Sequence, residues 1–478
     1  MTEVRRSALG YLLIHGIVGV LGFSTYLAFS RVVSPDAYAD YALIVALAGG
    51  VYAFLYSWIG LSVNRFFQDP HLDQAKYVSS IVVMVVALSA VVVLVQLTMM
   101  LLWPGPVPML FLVAGPVITV LLAWFHLSVE LSRARMQIAN YGAKTLLRAI
   151  LLLAIGTSLA LAGWGASGLL IGFATGLLAA VLSALTKDLG GFALRSASLA
   201  PLRDLYAYGW PLAICLGLAW VVGMSDRYLL YWLIGEEAAG QYALGAEVAA
   251  QPVWLALTAS SRAALPLAGQ AYDQAGEQAA KAVLSQFLGI MLVICLPVVA
   301  LEVVAAPQLA GLLLGQAYAP AAAAIMPIVA IATILQGLRS LHLDMAVHLT
   351  KRTRVLIGLW ALAAGANVLL NLLLIPRLGI AGAAWATLIA HALATAYFLL
   401  RVPRPAVLGL GGRDLLKIVA ALAVFVGLLV ALRLSFEGFW FFIGAGGAGL
   451  IYGAICWLLD PVDFRGLLRL RQHFGRSR

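Results

Sequence analysis

Residues Asn367–Ala396 read NVLLNLLLIPRLGIAGAAWATLIAHALATA. An apolar run of helical length meets the turn Pro376-Arg377-Leu378-Gly379. A second run then starts at once on small residues, Gly379-Ile-Ala-Gly382-Ala-Ala384. Proline cannot continue the helical hydrogen-bond ladder, so Pro376 is expected to end the first helix. Arg377 marks a water-facing turn, because its long side chain can snorkel toward water. Glycine and alanine let the next helix approach its neighbours backbone to backbone. A charged turn between two long apolar runs is the pattern of a membrane hairpin.

The rest of the 478 residues extends that pattern. The chain is 63% hydrophobic and 10% charged, with mean hydropathy +1.00. Water-soluble domains carry about 25% charged residues, and no soluble core can hide so much apolar side chain. Fourteen apolar segments stand at 8–32, 38–60, 77–102, 107–131, 144–163, 166–186, 207–226, 238–262, 281–304, 318–345, 354–375, 380–400, 414–433 and 436–459. A helix needs about 20 residues to cross the hydrocarbon core. Alternation of period two is absent, which argues against membrane strands. The expected fold class is therefore an all-α polytopic membrane protein with fourteen transmembrane helices. The first segment ends in Ser30-Arg31-Val-Val-Ser34-Pro35, which is not a small-residue cleavage site. Cys215, Cys295 and Cys456 are scattered over different segments and suggest neither a disulfide framework nor a metal cluster.

The net charge of +10 is explained by its placement rather than by nucleic acid. With the N-terminus inside, 24 of the 30 Lys and Arg fall on the N-terminus, the even-numbered connections and the C-terminal tail. Arg31, Arg148, Arg227, Arg339, Arg377 and Arg433 are the exceptions. This positive-inside bias places both termini in the cytoplasm. No connection is long enough for a catalytic or nucleotide-binding domain, and the chain contains no GxxxxGK[ST], HExxH or CxxC.

A weak internal repeat divides the chain. Ser34-Pro35-Asp36 leads to Tyr41-Ala-Leu, and Gly235-Glu236-Glu237 leads to Tyr242-Ala-Leu, at a shared offset of 201 residues. A second echo pairs Gly163-Trp-Gly165-Ala-Ser-Gly168 with Gly379-Ile-Ala-Gly382. Two pseudo-symmetric six-helix lobes follow as an expectation: an N-lobe at 1–190 and a C-lobe at 200–400. An appended helix pair at 413–460 and a basic cytoplasmic tail at 461–478 complete the chain.

These residues resemble a known family. Gly209-Trp-Pro211, Ser225-Asp226-Arg227-Tyr-Leu-Leu, Gly240-Gln-Tyr242-Ala-Leu-Gly-Ala, Leu314-Gly315-Gln-Ala-Tyr318 and the 367–388 stretch look like the motifs of polysaccharide exporters. These belong to the multidrug/oligosaccharidyl-lipid/polysaccharide (MOP) exporter superfamily, in its Wzx-type O-antigen flippase branch. Asp40 departs from the family pattern, which often has Gly there. The resemblance implies a flippase, not an enzyme. Its substrate would be an undecaprenyl-diphosphate-linked oligosaccharide, moved from the inner to the outer leaflet of the bacterial inner membrane by alternating access. The pathway would be O-antigen, capsule or exopolysaccharide synthesis. No cofactor is expected beyond H⁺ or Na⁺ as coupling ion, and a polysaccharide polymerase and chain-length regulator are the expected partners.

A diphosphate headgroup cannot cross hydrocarbon unshielded, and the arginine fork suits it. Ionisable residues inside spans are the candidates. Arg148 and Arg339 are expected deepest, Arg148 about one turn into its helix. His342 shares the Arg339 face, and Asp344 and His348 follow. Each is read either as cavity lining, as part of an internal ion pair, or as a residue snorkelling to the cytoplasmic surface. Asp226 and Arg227, being adjacent on a helix, are not expected to pair with each other. One would line the lumen and the other make a structural contact. Glu247, Asp226 and Asp344 are the coupling-ion candidates, against a structural salt bridge for Glu247. Arg31 and Arg65 are read as phosphate contacts at the two mouths or as helix-end anchors. Thr387, His391 and Thr395 form an i, i+4, i+8 row that could face a sugar. His15 is expected to be satisfied by a neighbouring helix, and Asn367 and Asn371 to hydrogen-bond between helices. Trp58, Trp103, Trp164, Trp210, Trp232 and Trp440 are read as interfacial belts.

Three other functions fit the chain less well. A drug/cation antiporter of the same superfamily conflicts with an arginine-rich path and with fourteen helices. A membrane-embedded polysaccharide polymerase or ligase needs a substantial outer loop carrying Arg or His. A scaffold for glycan assembly is the third.

Overall fold

The computed structural model describes residues 2–67, 73–102, 109–188, 192–198, 200–261, 264–344, 354–401, 410–436 and 438–463. Trp103, His348 and nearly all of the basic tail lie outside them. Among the described residues the protein is helical and has no strand. Thirteen helices are long and apolar enough to cross a membrane. The remaining expected span is the helix Glu236–Ser261. Its length suffices, but Glu236, Glu237, Gln241, Glu247 and Gln251 dilute its apolar character, so the count of fourteen is not established.

Helix boundaries follow the apolar segments closely, with instructive exceptions. Pro376 does not end its helix. Arg354–Leu378 carries Pro376 inside its last turn, and the chain leaves the helix at Gly379, in the left-handed region at φ 59°. Near a C-terminus the amide that proline lacks is lost to a single bond, whereas the turn itself needs a positive φ, which only glycine adopts freely. Gly382 then sits against the backbone of Leu374 and Ile375. The first-half echo has the same close approach: Gly163 is at φ 87°, and a Cβ on Gly168 would meet Leu159 Cβ at 2.9 Å and Ala160 N at 3.1 Å. Both small-residue turns therefore close tight hairpins.

The helix Ala264–Val304 is broken at Gly276 (φ 79°, ψ −171°), and its span begins only at Gln278. Among the described residues two helices contain a π-turn, Leu152–Gly156 and Arg339–Leu343. Trp58 is not an interfacial residue. It is 7% exposed, its indole donates to Leu55 O at 2.8 Å, and it meets Tyr206 edge-on at 5.6 Å. Trp164, Trp210, Trp232 and Trp440 are exposed.

The chain divides into two compact units. The first comprises Met1–Leu244 and Ala363–Ala383. There, Ala200–Leu233 packs on Pro35–Leu55 and Ser57–Phe66, and Gly165–Asp188 packs on Met109–Ala134 and Ile138–Leu151. The acidic turns of the repeat meet within it, with Gly240 against the carbonyl of Pro35. The second unit comprises Gly245–Leu362 and Ala384–Arg478. There, Ala264–Val304 packs on Ala319–Leu338 and on Gly412–Ser435, which in turn packs on Gly438–Leu459.

Candidate functional site

Arg339 is the largest fully buried side chain, at 0% exposure. It opens the π-turn of its helix. In an α-helix, residues i and i+5 point well apart, but a π-turn closes on an i→i+5 hydrogen bond and brings them to one side. Arg339 Nη1 accordingly reaches Asp344 Oδ2 at 3.2 Å. The guanidinium carbon stands 4.2 Å from the Trp360 ring centroid, a stacking worth about 2 kcal/mol when desolvated. Nε and Nη2 have no hydrogen-bond partner. His342, on the same turn, is buried at 7%. His391 is buried at 2%, and its Nδ1 is unpartnered. Of the alternatives read from the sequence, the internal ion pair is present, and Nε and Nη2 stand outside it.

Arg148 repeats the design in the first unit. Its helix starts at Ile138, so Arg148 lies almost three turns in, rather than the single turn expected from the later onset of apolar residues. Its guanidinium lies 5.3 Å from the Phe125 centroid and 6.0 Å from that of Phe173. Its Nε has no hydrogen-bond partner, and the π-turn Leu152–Gly156 follows four residues on. Lys144, one turn before it, is 2% exposed. Its ammonium donates to Ser128 O at 3.1 Å and to Ser132 Oγ at 2.7 Å. The sequence counts Lys144 among the inner loop charges, but the structure places it inside a helix bundle. Its only sequence signal is that it sits one turn from another cation at the edge of an apolar segment.

A third cluster joins residues of three helices in the first unit. Asp226 and Arg227 do pair, at 3.6 Å, against expectation. The arginine is long enough to fold back on its own turn, where it also donates to Gly223 O. Both are buried, at 3% and 6%. Asp226 Oδ1 accepts the Arg227 amide at 2.8 Å, and Oδ2 accepts the Tyr242 hydroxyl at 2.7 Å. Beside it, Ser225 donates to Asn367 Oδ1 at 2.8 Å, and Asn371 donates to the same oxygen at 3.0 Å. Both asparagines are 0% exposed; Asn367 bonds to another helix as expected, whereas the bond from Asn371 stays on its own helix. A hydrogen bond to a carboxylate is worth about 1.5–3 kcal/mol. Tyr242→Phe should lower stability by that order, read as a lower thermal midpoint of the purified protein. An unchanged midpoint would show the contact to be idle.

The other candidates are more dispersed. Arg31 and Arg65 are exposed at helix ends, and Arg31 Nη1 donates to Leu27 O at 3.0 Å. Glu247 is half-buried and is not without a partner. Thr387 is half-buried. Thr395 Oγ1 donates to the His391 carbonyl at 2.8 Å, so that end of the threonine-histidine row is spent on its own helix. His15 is satisfied on both sides: Nδ1 lies 2.9 Å from Tyr11 O and Nε2 lies 3.1 Å from Tyr141 Oη.

One fully buried guanidinium, Arg339, and one half-buried guanidinium, Arg148, thus lie on aromatic faces among membrane-spanning helices. Residues 4–272 match the family described as polysaccharide biosynthesis protein, and the chain belongs to that family. The fold is shared with solved membrane transporters. It is similar to a lipid II flippase MurJ in an inward closed conformation, with TM-score 0.73 and 14% identity over 95% of this chain and 99% of that one. It is also similar to an inward-facing multidrug resistance MATE family transporter, with TM-score 0.61 and 14% identity over 80% and 94% of the two chains. A MOP superfamily transporter from Pyrococcus furiosus aligns with TM-score 0.57 and 13% identity over 82% and 94%. No curated protein sequence matches the chain.

Proposed function

We propose that this protein is a flippase for an undecaprenyl-diphosphate-linked oligosaccharide. It would move the lipid from the inner to the outer leaflet of the bacterial inner membrane for synthesis of a surface polysaccharide. The observation that carries the reading is Arg339. A fully buried guanidinium, held flat by Trp360, has Nε and Nη2 without acceptors. Such a group offers two charge-assisted donors to a diphosphate. Arg148, half-buried on Phe125, offers one unpartnered donor, Nε, in the other unit, and Lys144 adds charge one turn away. Alternating access by two lobes, with both termini cytoplasmic, would move the headgroup without exposing it to hydrocarbon. Membership of a polysaccharide biosynthesis family supports the reading, and a lipid-flipping structural relative is consistent with it.

The coupling ion in this reading is H⁺ or Na⁺, with Asp226, Glu247 and Asp344 as its candidate carriers. Glu247→Gln should leave flux in proteoliposomes insensitive to the ion gradient; flux that still follows the gradient removes Glu247 from that role. The reading as a whole is tested by depletion. A lipid-linked oligosaccharide should accumulate on the inner leaflet while surface polysaccharide falls. If surface polysaccharide is unchanged and only drug susceptibility rises, the protein is instead a drug/cation antiporter, the reading favoured by its likeness to multidrug transporters.

A further inference from the structure

Glu302 belongs to none of these clusters. It lies two residues before the end of the helix Ala264–Val304 and is 4% exposed. Neither Oε1 nor Oε2 has a hydrogen-bond partner. Its neighbours Leu301, Val304 and Leu309 pack on an apolar cluster that includes Phe425, Leu429 and Phe441. An ionised carboxylate without a partner in such surroundings costs many kcal/mol, and a group placed there neutralises instead.

The packed helices do not supply a counter-charge. Ala306–Leu313 and Ala319–Leu338 carry no titratable side chain, and neither does Gly438–Leu459 apart from Tyr452 and Cys456. Tyr452 donates to Val293 O at 2.9 Å. Gly412–Ser435 carries four charges. Arg413, Asp414 and Lys417 lie in its first two turns, where Lys417 pairs with Asp414 at 3.3 Å. Arg433, in its last turn, donates to Val304 O at 2.6 Å. Arg433 thus occupies the carbonyl end of the Glu302 helix and makes no ion pair with the Glu302 carboxyl. Gln308, at the start of the next helix, also has a buried Oε1 without a partner. It is the nearest polar side chain in sequence, and it makes no hydrogen bond to Glu302.

We infer that Glu302 is a proton-binding site. The carboxyl holds its proton in the state seen here, where neither oxygen meets a donor. It releases the proton when its surroundings admit water or when Arg433 turns toward it. The site thereby ties the conformation of the second unit to proton concentration on one face of the membrane. This deepens the flippase reading, and rests on it only in making the proton the coupling ion.

Infrared difference spectroscopy of the full chain in lipid nanodiscs at neutral pH tests the site itself. Subtracting the Glu302→Gln spectrum from that of the natural protein should leave the C=O stretch of a neutral carboxylic acid. Loss of a carboxylate stretch, or no difference in either region, overturns the inference. Glutamine is isosteric with the neutral acid, so this variant should fold. Should it not, Glu302→Leu supplies the same subtraction. The band stands or falls independently of surface polysaccharide, whose persistence on depletion would sink the flippase reading alone.

Discussion

Replacing Arg339 with alanine should abolish surface polysaccharide while the lipid-linked precursor accumulates inside. The arginine brings two unpartnered donors into the membrane. If each hydrogen bond to a diphosphate contributes about 1.5–3 kcal/mol, losing both lowers affinity on the order of a hundredfold or more. The variant also leaves Asp344 buried beside a vacancy, and breaking a buried pair costs about 3–5 kcal/mol. Arg339→Lys separates the two effects. It keeps a cation for Asp344 but loses the planar fork that lies on Trp360. The lysine variant should reach normal membrane levels and still fail to display polysaccharide. Full display by the lysine variant would show that charge alone suffices and that the fork is not the binding element.

The second large effect is steric. Gly382→Val should prevent accumulation of folded protein, because even a Cβ at this position runs into the backbone of Leu374 and Ile375. Overpacking in ordinary cores costs about 1–3 kcal/mol, and here the obstacle is backbone, which cannot rotate aside. Gly240→Ala should behave in the same way, since its Cβ would strike the Pro35 carbonyl. Gly365→Ala is the control. It sits in a helix with open space around it and should stabilise the protein by about 1 kcal/mol through helix propensity. Membrane levels measured beside a thermal unfolding series decide the matter. Normal levels of Gly382→Val would mean that the hairpin can open without penalty.

Much of the fold was legible because the membrane imposes length and apolarity on each span. The segments at 77–102, 380–400 and 414–433 differ from the observed helices Gln74–Leu101, Ile380–Arg401 and Gly412–Ser435 by only a few residues. The small-residue turns were legible too, since Gly379 and Gly382 have few other uses. Less visible were features that hydropathy does not encode. The π-turns are written in ordinary helix-forming residues, so an internal ion pair could be anticipated for this cluster but not the i, i+5 geometry that joins Arg339 to Asp344. Polar residues ahead of an apolar run can already be helical, and this hid the depth of Arg148 and the burial of Lys144. Pairing of Asp226 with Arg227 was missed because Cβ directions were weighed without the reach of the arginine. Trp58 was taken for a belt residue because proximity to a helix end says nothing about which face a side chain occupies.

The π-turn at Arg339–Leu343 also holds a residue that its helix does not need. A π-turn amounts to one surplus residue in an α-helix. Excising a single residue from 339–343 would therefore leave a regular helix of almost unchanged length and apolarity. The two flanks would keep their relative phase, because the wide turn already absorbs the surplus residue. With Arg339 retained, Asp344 would become its i+4 neighbour and still share its face. A one-residue deletion inside 340–343 thus removes the wide turn while sparing the ion pair, and a substitution scan of the same positions would never sample it.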